Sequence, residues 1–333
     1  MAQSRPVESE HRPKLRGDGL VLPTLLCVTI VTFALLTLSG RNPAPEPGSA
    51  QRFANPLPGA RVLPVRLLLF EPPPALDLAR LLDAAWSTPG TEDAVPNLAP
   101  IRLPEDMDAL DKEAKKNAFF RSVLPHVLAT NRRIRAERAR LRELRERLLA
   151  GRGLSDGQGS FVAKLASRYR VDLDGEALSE FGASALVEAL LERVDVVPPS
   201  LALAQAAIES AWGSSRFSRL GNSLFGQWVF AADRGIAPLL RGEGANYSVA
   251  RFVDLAEAVE AYVSNLNSFW AYEEFRVLRR SMREAEGGLD AQILAGGLRL
   301  YSVRREEYVD EVRKVMRNNR LGRLDSRRLT RVP

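Results

Sequence analysis

The stretch from Val197 to Gly213 constrains this chain more than any other. Pro198-Pro199-Ser200 reads as a helix start, and Gly213 reads as its stop. Between them almost every residue is apolar on every face, the pattern of a helix buried all round. One ionisable side chain interrupts it, Glu209, in the last turn. Gln205 lies one turn before and Trp212 almost one turn after, on the same face. Burial disfavours a carboxylate there, and the negative end of the helix dipole disfavours it again. Both effects push the pKa upward. An acid still protonated near neutral pH is what a glycosidase needs for general acid catalysis. The blander alternative is a helix-end Glu pointing into water. The apolar surroundings count against that alternative.

The chain continues with Ser215-Arg216-Phe217 and then Asn222-Ser223-Leu224-Phe225-Gly226. Together with Gln205-Ala206-Ala207-Ile208-Glu209-Ser210-Ala211-Trp212-Gly213, this order resembles the glucosaminidase domain of glycoside hydrolase family 73, whose members cleave the bacterial cell-wall glycan. The similarity is closer to the Bax-type membrane-bound members. Their hallmarks stand here as Lys115-Lys116-Asn117-Ala118-Phe119-Phe120, as Arg193 through Ser200, and as Tyr301-Ser302 with Glu307-Tyr308-Val309. The resemblance covers roughly residues 110 to 322 and rests on several ordered motifs.

Composition narrows the chemistry. A single cysteine, Cys27, excludes an intrachain disulfide. The two histidines, His11 and His126, lie far from the central motif. No His/Cys cluster has zinc spacing, so no metal or other cofactor is expected. No Ser-His-Asp or Cys-His arrangement is credible, with His126 the lone ordered candidate base. The chemistry therefore rests on carboxylates. The formal charge is +6 and the pI about 9.7. Without a nucleic-acid-binding signature or a phosphate loop, that excess suits an anionic polymer or reflects an Arg-rich proteome, and no nucleic-acid partner is expected.

Residues 1–19 are polar and carry Arg5, Arg12, Lys14 and Arg16. Residues 20–40 form an uncharged apolar run long enough to cross a bilayer. The upstream cations predict a cytoplasmic N-terminus and a single-pass anchor in the inner membrane, with the remainder in the periplasm. The alternative is a cleaved signal, Thr37-Leu38-Ser39 being a weak cleavage site, which gives a secreted protein. Residues 41–108 read as a Pro-rich linker with short elements: a strand within 62–70, an amphipathic helix over 75–86 and a loop over 87–104. Residues 109–160 read as an Arg-rich helical segment, kinked or broken at Pro125 and ending in a Gly-rich loop over 151–159. Ile134, Leu141, Leu144 and Leu148 recur along it at heptad-like spacing.

Residues 161–319 carry the candidate domain. Helices over 161–169 and 182–194 are expected to pack around the central one. Gly-rich residues 229–252 predict a small β-hairpin lobe, and helices resume from Asp254 and around Tyr308. Residues 320–333 read as a disordered basic tail. The expected architecture is mainly α: a lysozyme-like helical domain with a small β-hairpin lobe, after a transmembrane helix and a Pro-rich linker.

The resemblance implies cleavage of the β-1,4 bond between N-acetylglucosamine and N-acetylmuramic acid in peptidoglycan strands. Glu209 would protonate the departing oxygen. Glu243, near the family's acidic position on the β-lobe, is the candidate second carboxylate, with Asp233 as fallback; each is equally readable as a solvated turn residue. The substrate's own acetamido group is the alternative nucleophile. Tyr301 matches the family's cleft tyrosine, or else is a core tyrosine with a bonded hydroxyl. Phe225, Trp228 and Tyr247 are candidate platforms for sugar rings, and Gln205 and Asn222 complete the substrate-binding candidates. Trp212 and Phe217 read as core. Two other activities compete: a lytic transglycosylase, which leaves an anhydro sugar, and a non-catalytic tethered glycan binder or scaffold.

Overall fold

The structure, a computed structural model, describes residues 67–87, 94–171, 180–229, 235–238 and 248–330, with backbone alone at 180 and 181. The expected membrane anchor and signal, residues 20–40, lie outside the described residues. So do residues 41–66 and 88–93 of the Pro-rich linker, together with Asp233, Glu243 and Tyr247. Among the described residues no helix is long and apolar enough to cross a membrane.

The described chain opens with β1 (Leu68–Phe70), α1 (Ala75–Trp86), β2 (Ala94–Val95) and β3 (Leu98–Pro100). β1 pairs in parallel with β3, Leu68 opposite Leu98. The segment read as loop over 87–104 thus contributes two short strands.

α2 runs unbroken from Lys112 to Leu149. Asp111 caps it, accepting from the backbone N–H groups of Glu113 and Ala114 at 3.0 Å each. Pro125 lies inside this helix and does not end it. Its missing N–H leaves the Arg121 carbonyl without its helical donor, a defect of about 3 kcal/mol. Phe119, Val123, Leu124, Val127 and Leu128 are all buried around it. Each buried apolar side chain contributes roughly 1.5–3 kcal/mol, enough to hold the helix through the proline. Ile134, Leu141, Leu144 and Leu148 are also buried, in the same core as the central helix.

α3 (Asp156–Tyr169) begins inside the stretch read as a Gly-rich loop. Gln158 reaches back to accept from the Ser155 backbone N–H at 2.9 Å, a start signal that the glycines mask. α4 spans Glu180–Arg193. Then comes α5 (Pro199–Glu209), whose residues from Pro199 through Ala207 are all buried. It packs against α2 and, further along the chain, against a helix over Glu306–Asn318 and a 3₁₀ turn over Leu321–Leu324.

α6 (Arg216–Gly221) leads into a three-stranded antiparallel sheet in the order β4 (Trp228–Val229), β6 (Ser248–Ala250), β5 (Gly235–Ile236). Trp228 faces Val249 and Gly235 faces Ala250. This is the small β lobe expected over 229–252. α7 (Leu255–Ser268), α8 (Glu273–Glu284), the short α9 (Ala291–Leu294), a 3₁₀ segment (Ala295–Tyr301) and α10 (Glu306–Asn318) complete the helical body.

The stretch from 320 is not a disordered tail as far as Thr330. β7 (Arg328–Leu329) pairs in parallel with β2, and Leu321 and Leu329 are buried. Asp325 accepts from the backbone N–H and the hydroxyl of Ser200, both at 2.7 Å. It supplies the acceptor that Pro198, the N-cap residue of α5, cannot provide from its own side chain.

Candidate active site

Glu209 is the last residue of α5. The helix stops there in an unusual way. Ala211, Trp212 and Gly213 are consecutively left-handed, with φ of 50°, 57° and 82°. Only the third is a glycine, so the turn is held against local preference. The Ser210 hydroxyl latches it, donating to the Ala206 carbonyl at 2.6 Å and accepting from the Gly213 N–H at 2.9 Å. Trp212 then packs edge-on against Phe119 and Phe120 at 6.0 and 5.3 Å. The helix therefore ends at a fixed height, with the acid at its final position.

A directed chain of hydrogen bonds reaches the acid from within the core. Tyr262 donates its hydroxyl proton to Gln205 Oε1 at 2.7 Å, and Gln205 Nε2 donates to the Tyr308 hydroxyl at 2.9 Å. Tyr308 is thereby left with its own O–H to give, and its partner is the Glu209 carboxyl. Burial pushes Glu209 up to about 7, against the Tyr308 hydrogen bond and Arg304, which pull it down; Glu311 nearby pushes it up again. Burial and the Glu209 charge also push the Tyr301 and Tyr308 hydroxyls well above their ordinary value. Both tyrosines act as donors here and not as bases. Glu209 is only half-buried, so it is embedded yet still open to solvent. A side chain at Gly226 would come within 3.5 Å of Glu209 Oε2, and Gly226 itself has φ of +62°. The positive φ calls for glycine here, and a Cβ would sit in van der Waals contact with the acid.

Two charged residues outside the sequence expectation stand beside this network. Arg304 pairs with Glu311 at 2.5 Å and lies 5.8 Å from the Tyr308 ring centroid. The turn that delivers Arg304 includes Arg305 at φ 47°. Tyr308 belongs to the Glu-Tyr-Val motif, but its apolar neighbours Val309 and Val312 make it look like plain core. A buried tyrosine needs a partner for its hydroxyl, which was the available signal.

The remaining candidates divide. Tyr301 is half-buried, stacks on Tyr308 at 5.5 Å and donates to the Phe225 carbonyl at 2.8 Å. Gln205 is fully buried and presents no surface to a sugar; it acts on the site through Tyr308. Phe225 is also buried, stacked on Tyr262 at 3.9 Å, so it is a wall of the core and not a sugar platform. Asn222 caps α6 in a left-handed conformation, and its amide donates to the carbonyls of Phe252 and Val253 at 3.2 and 3.1 Å. Its side-chain donors thus hold the β lobe to the helices. Trp228 is half-buried on β4 and keeps its candidacy. Trp212 is half-buried against the core and Phe217 is buried. His126 is buried, bonded through Nε2 to the Pro100 carbonyl at 2.9 Å, and burial lowers it to about 4. It stays neutral and structural. Among the described residues no group of His, Cys, Asp and Glu could hold a metal ion.

Residues 184–321 match the family model for glucosaminidase, described as mannosyl-glycoprotein endo-beta-N-acetylglucosaminidase. The chain therefore carries a glucosaminidase-family domain, and Glu209, Tyr301, Arg304 and Tyr308 all fall inside it. The chain is also 34% identical over 194 residues to "Protein bax" of Escherichia coli (strain K12), an alignment covering 58% of this chain and 66% of that relative. No solved structure matches the chain.

Proposed function

We propose that this chain is a peptidoglycan hydrolase, an endo-β-N-acetylglucosaminidase of the family 73 type, with Glu209 as general acid. The observation that carries the reading is a half-buried carboxyl at the end of an apolar helix, raised to about 7 and still open to solvent. The glucosaminidase match over the same residues supports the substrate class.

In this mechanism Glu209 gives its proton to the glycosidic oxygen as the bond to the anomeric carbon breaks. Tyr308, aimed by Gln205, holds the carboxyl and stabilises the carboxylate that results. Tyr301 braces the Phe225–Gly226 turn that lies against Glu209. Glu311, the acid beside Glu209 among the described residues, is paired with Arg304 and is no free nucleophile. The second role is assigned to Glu243, which lies outside the described residues, or to the substrate's acetamido oxygen. Burial raises the proton affinity of Glu209, and Arg304 and Glu311 adjust it in opposite directions.

A lytic transglycosylase would use the same acid. Purified peptidoglycan digested with the full chain separates the two by product mass, because hydrolysis adds water and transglycosylation leaves an anhydro end. New reducing N-acetylglucosamine ends, absent with Glu209→Gln, are expected. Equal and undetectable release by both proteins would leave only a glycan binder. Further, residues 20–40 anchor the chain in the inner membrane with the domain in the periplasm. Retention in the membrane pellet after alkaline extraction is expected, and recovery of a shortened chain in the soluble fraction would mark a cleaved signal instead.

A further inference from the structure

A second recess lies away from Glu209. It has a volume of about 440 Å³ and is walled by the end of α1, the start of α2 and the segment after α10. Tyr308 and Arg304 sit at one end of α10, and this recess sits at the other, roughly 15 Å along the helix. It receives the Lys-Lys-Asn-Ala-Phe-Phe motif, which the catalytic reading leaves unused: Lys116, Asn117 and Phe120 all line it.

The charge of its wall is one-sided. Lys116, Arg121, Arg320, Arg323 and Arg327 face a single acid, Glu113. Lys116 is matched by Glu113 at 2.8 Å, and Arg121 is matched by Asp83. Arg320 and Arg323 are exposed and have no ion-pair partner among the described residues. Two guanidinium forks on one turn are suited to gripping carboxylates two bonds at a time. Phe120, Leu321 and Leu324 give the recess an apolar floor, and Trp86 in its wall keeps its indole N–H buried without an acceptor among the described residues. A concave, cationic recess with an apolar floor suits a short acidic peptide better than the plane of a bilayer.

We propose that this recess binds the acidic peptide substituents of the glycan strand, through their free carboxylates on Arg320 and Arg323, as a holding site separate from the cleft. The choice of occupant rests on the peptidoglycan reading above; the site itself does not.

The test is calorimetric titration of the full chain at low salt with a sugar-free stem peptide carrying free carboxylates, alongside its amidated form and phosphatidylglycerol vesicles. Arg320→Glu with Arg323→Glu should weaken peptide binding at least tenfold, and amidation should do the same. Cleavage of an uncharged oligosaccharide by that double variant should match the parent. Peptide affinity unchanged within twofold by the charge reversal overturns the proposal. So does a vesicle affinity that the reversal abolishes while peptide binding stays as it was. If the parent releases no product from any glycan but the reversal still abolishes peptide binding, the recess stands and the glucosaminidase reading falls.

Discussion

Two carboxylates fourteen residues apart, one buried and one half-buried, bracket the central helix and are treated in opposite ways. Asp195 lies just before α5, 2% exposed. Burial alone would push it up, but Arg279, the hydrogen-bonding Arg283 and Arg138 outweigh burial and hold it below the usual carboxylate range. Arg283 grips both its oxygens at 3.0 Å, and the Val196 N–H adds a bond at 2.8 Å. Arg279, itself buried, ties the Asp195 and Val196 carbonyls to Asn267. Glu209 at the other end receives one tyrosine hydroxyl and the charge of an arginine already paired with Glu311. Desolvation pushes both acids up; what differs most is how many fixed positive charges oppose it. The well-compensated acid positions the helix, and the poorly compensated one is left able to exchange a proton.

The contrast can be broken at either end. Glu209→Gln should lower glycan cleavage by about 10³-fold or more, the upper part of what a general acid supplies, read as released reducing ends. Asp195→Ala should destabilise the fold by roughly 3–5 kcal/mol in denaturant titration, because three arginines lose their counter-charge. If Asp195→Ala proves neutral, the cluster is not what fixes the start of α5.

Smaller effects sharpen the comparison. The folded chain holds the Glu209 proton up to about pH 7, whereas an unperturbed Glu releases it near 4.5. The stability from holding that proton is full below pH 4.5 and is lost as pH rises to 7. Above that pH, Glu209→Gln should be more stable than the parent by about 1–3 kcal/mol, allowing for partial solvent screening, and the gap should close in acid. A gap independent of pH would mean the carboxyl is not the source. The smallest expected effects are on the alkaline limb of the rate profile, where the acid loses its proton. Arg304→Met should move it to higher pH and Glu311→Gln to lower pH, each by less than about tenfold in rate at fixed pH. Movement in the same direction would refute the electrostatic assignment.

Much of this is legible in the sequence for a physical reason. A lone acid in an otherwise apolar helix is a local anomaly, and so is Gly at high density before a returning helical period. Both are visible within a window of a few residues. The partners are not, because they come from far along the chain. Gln205 meets Tyr308 across 103 positions, and Ser200 meets Asp325 across 125. Pro125 misleads for a related reason, since the packing that overrides a local breaker comes from other elements. The Arg-rich stretch after 320 looks solvated until Leu321 and Leu329 are seen to have a core to enter. Gln205 and Phe225 look like sugar contacts because polarity and aromaticity are visible in a sequence and burial is not.

The clasp between Ser200 and Asp325 also bears on biogenesis. During synthesis, the helix bearing Glu209 emerges long before the residue that fastens its leading end. Until position 325 has been made, the first turn of that helix lacks the acceptor for the Ser200 N–H and hydroxyl. The frame around Glu209 thus depends on a residue made near the end of the described chain.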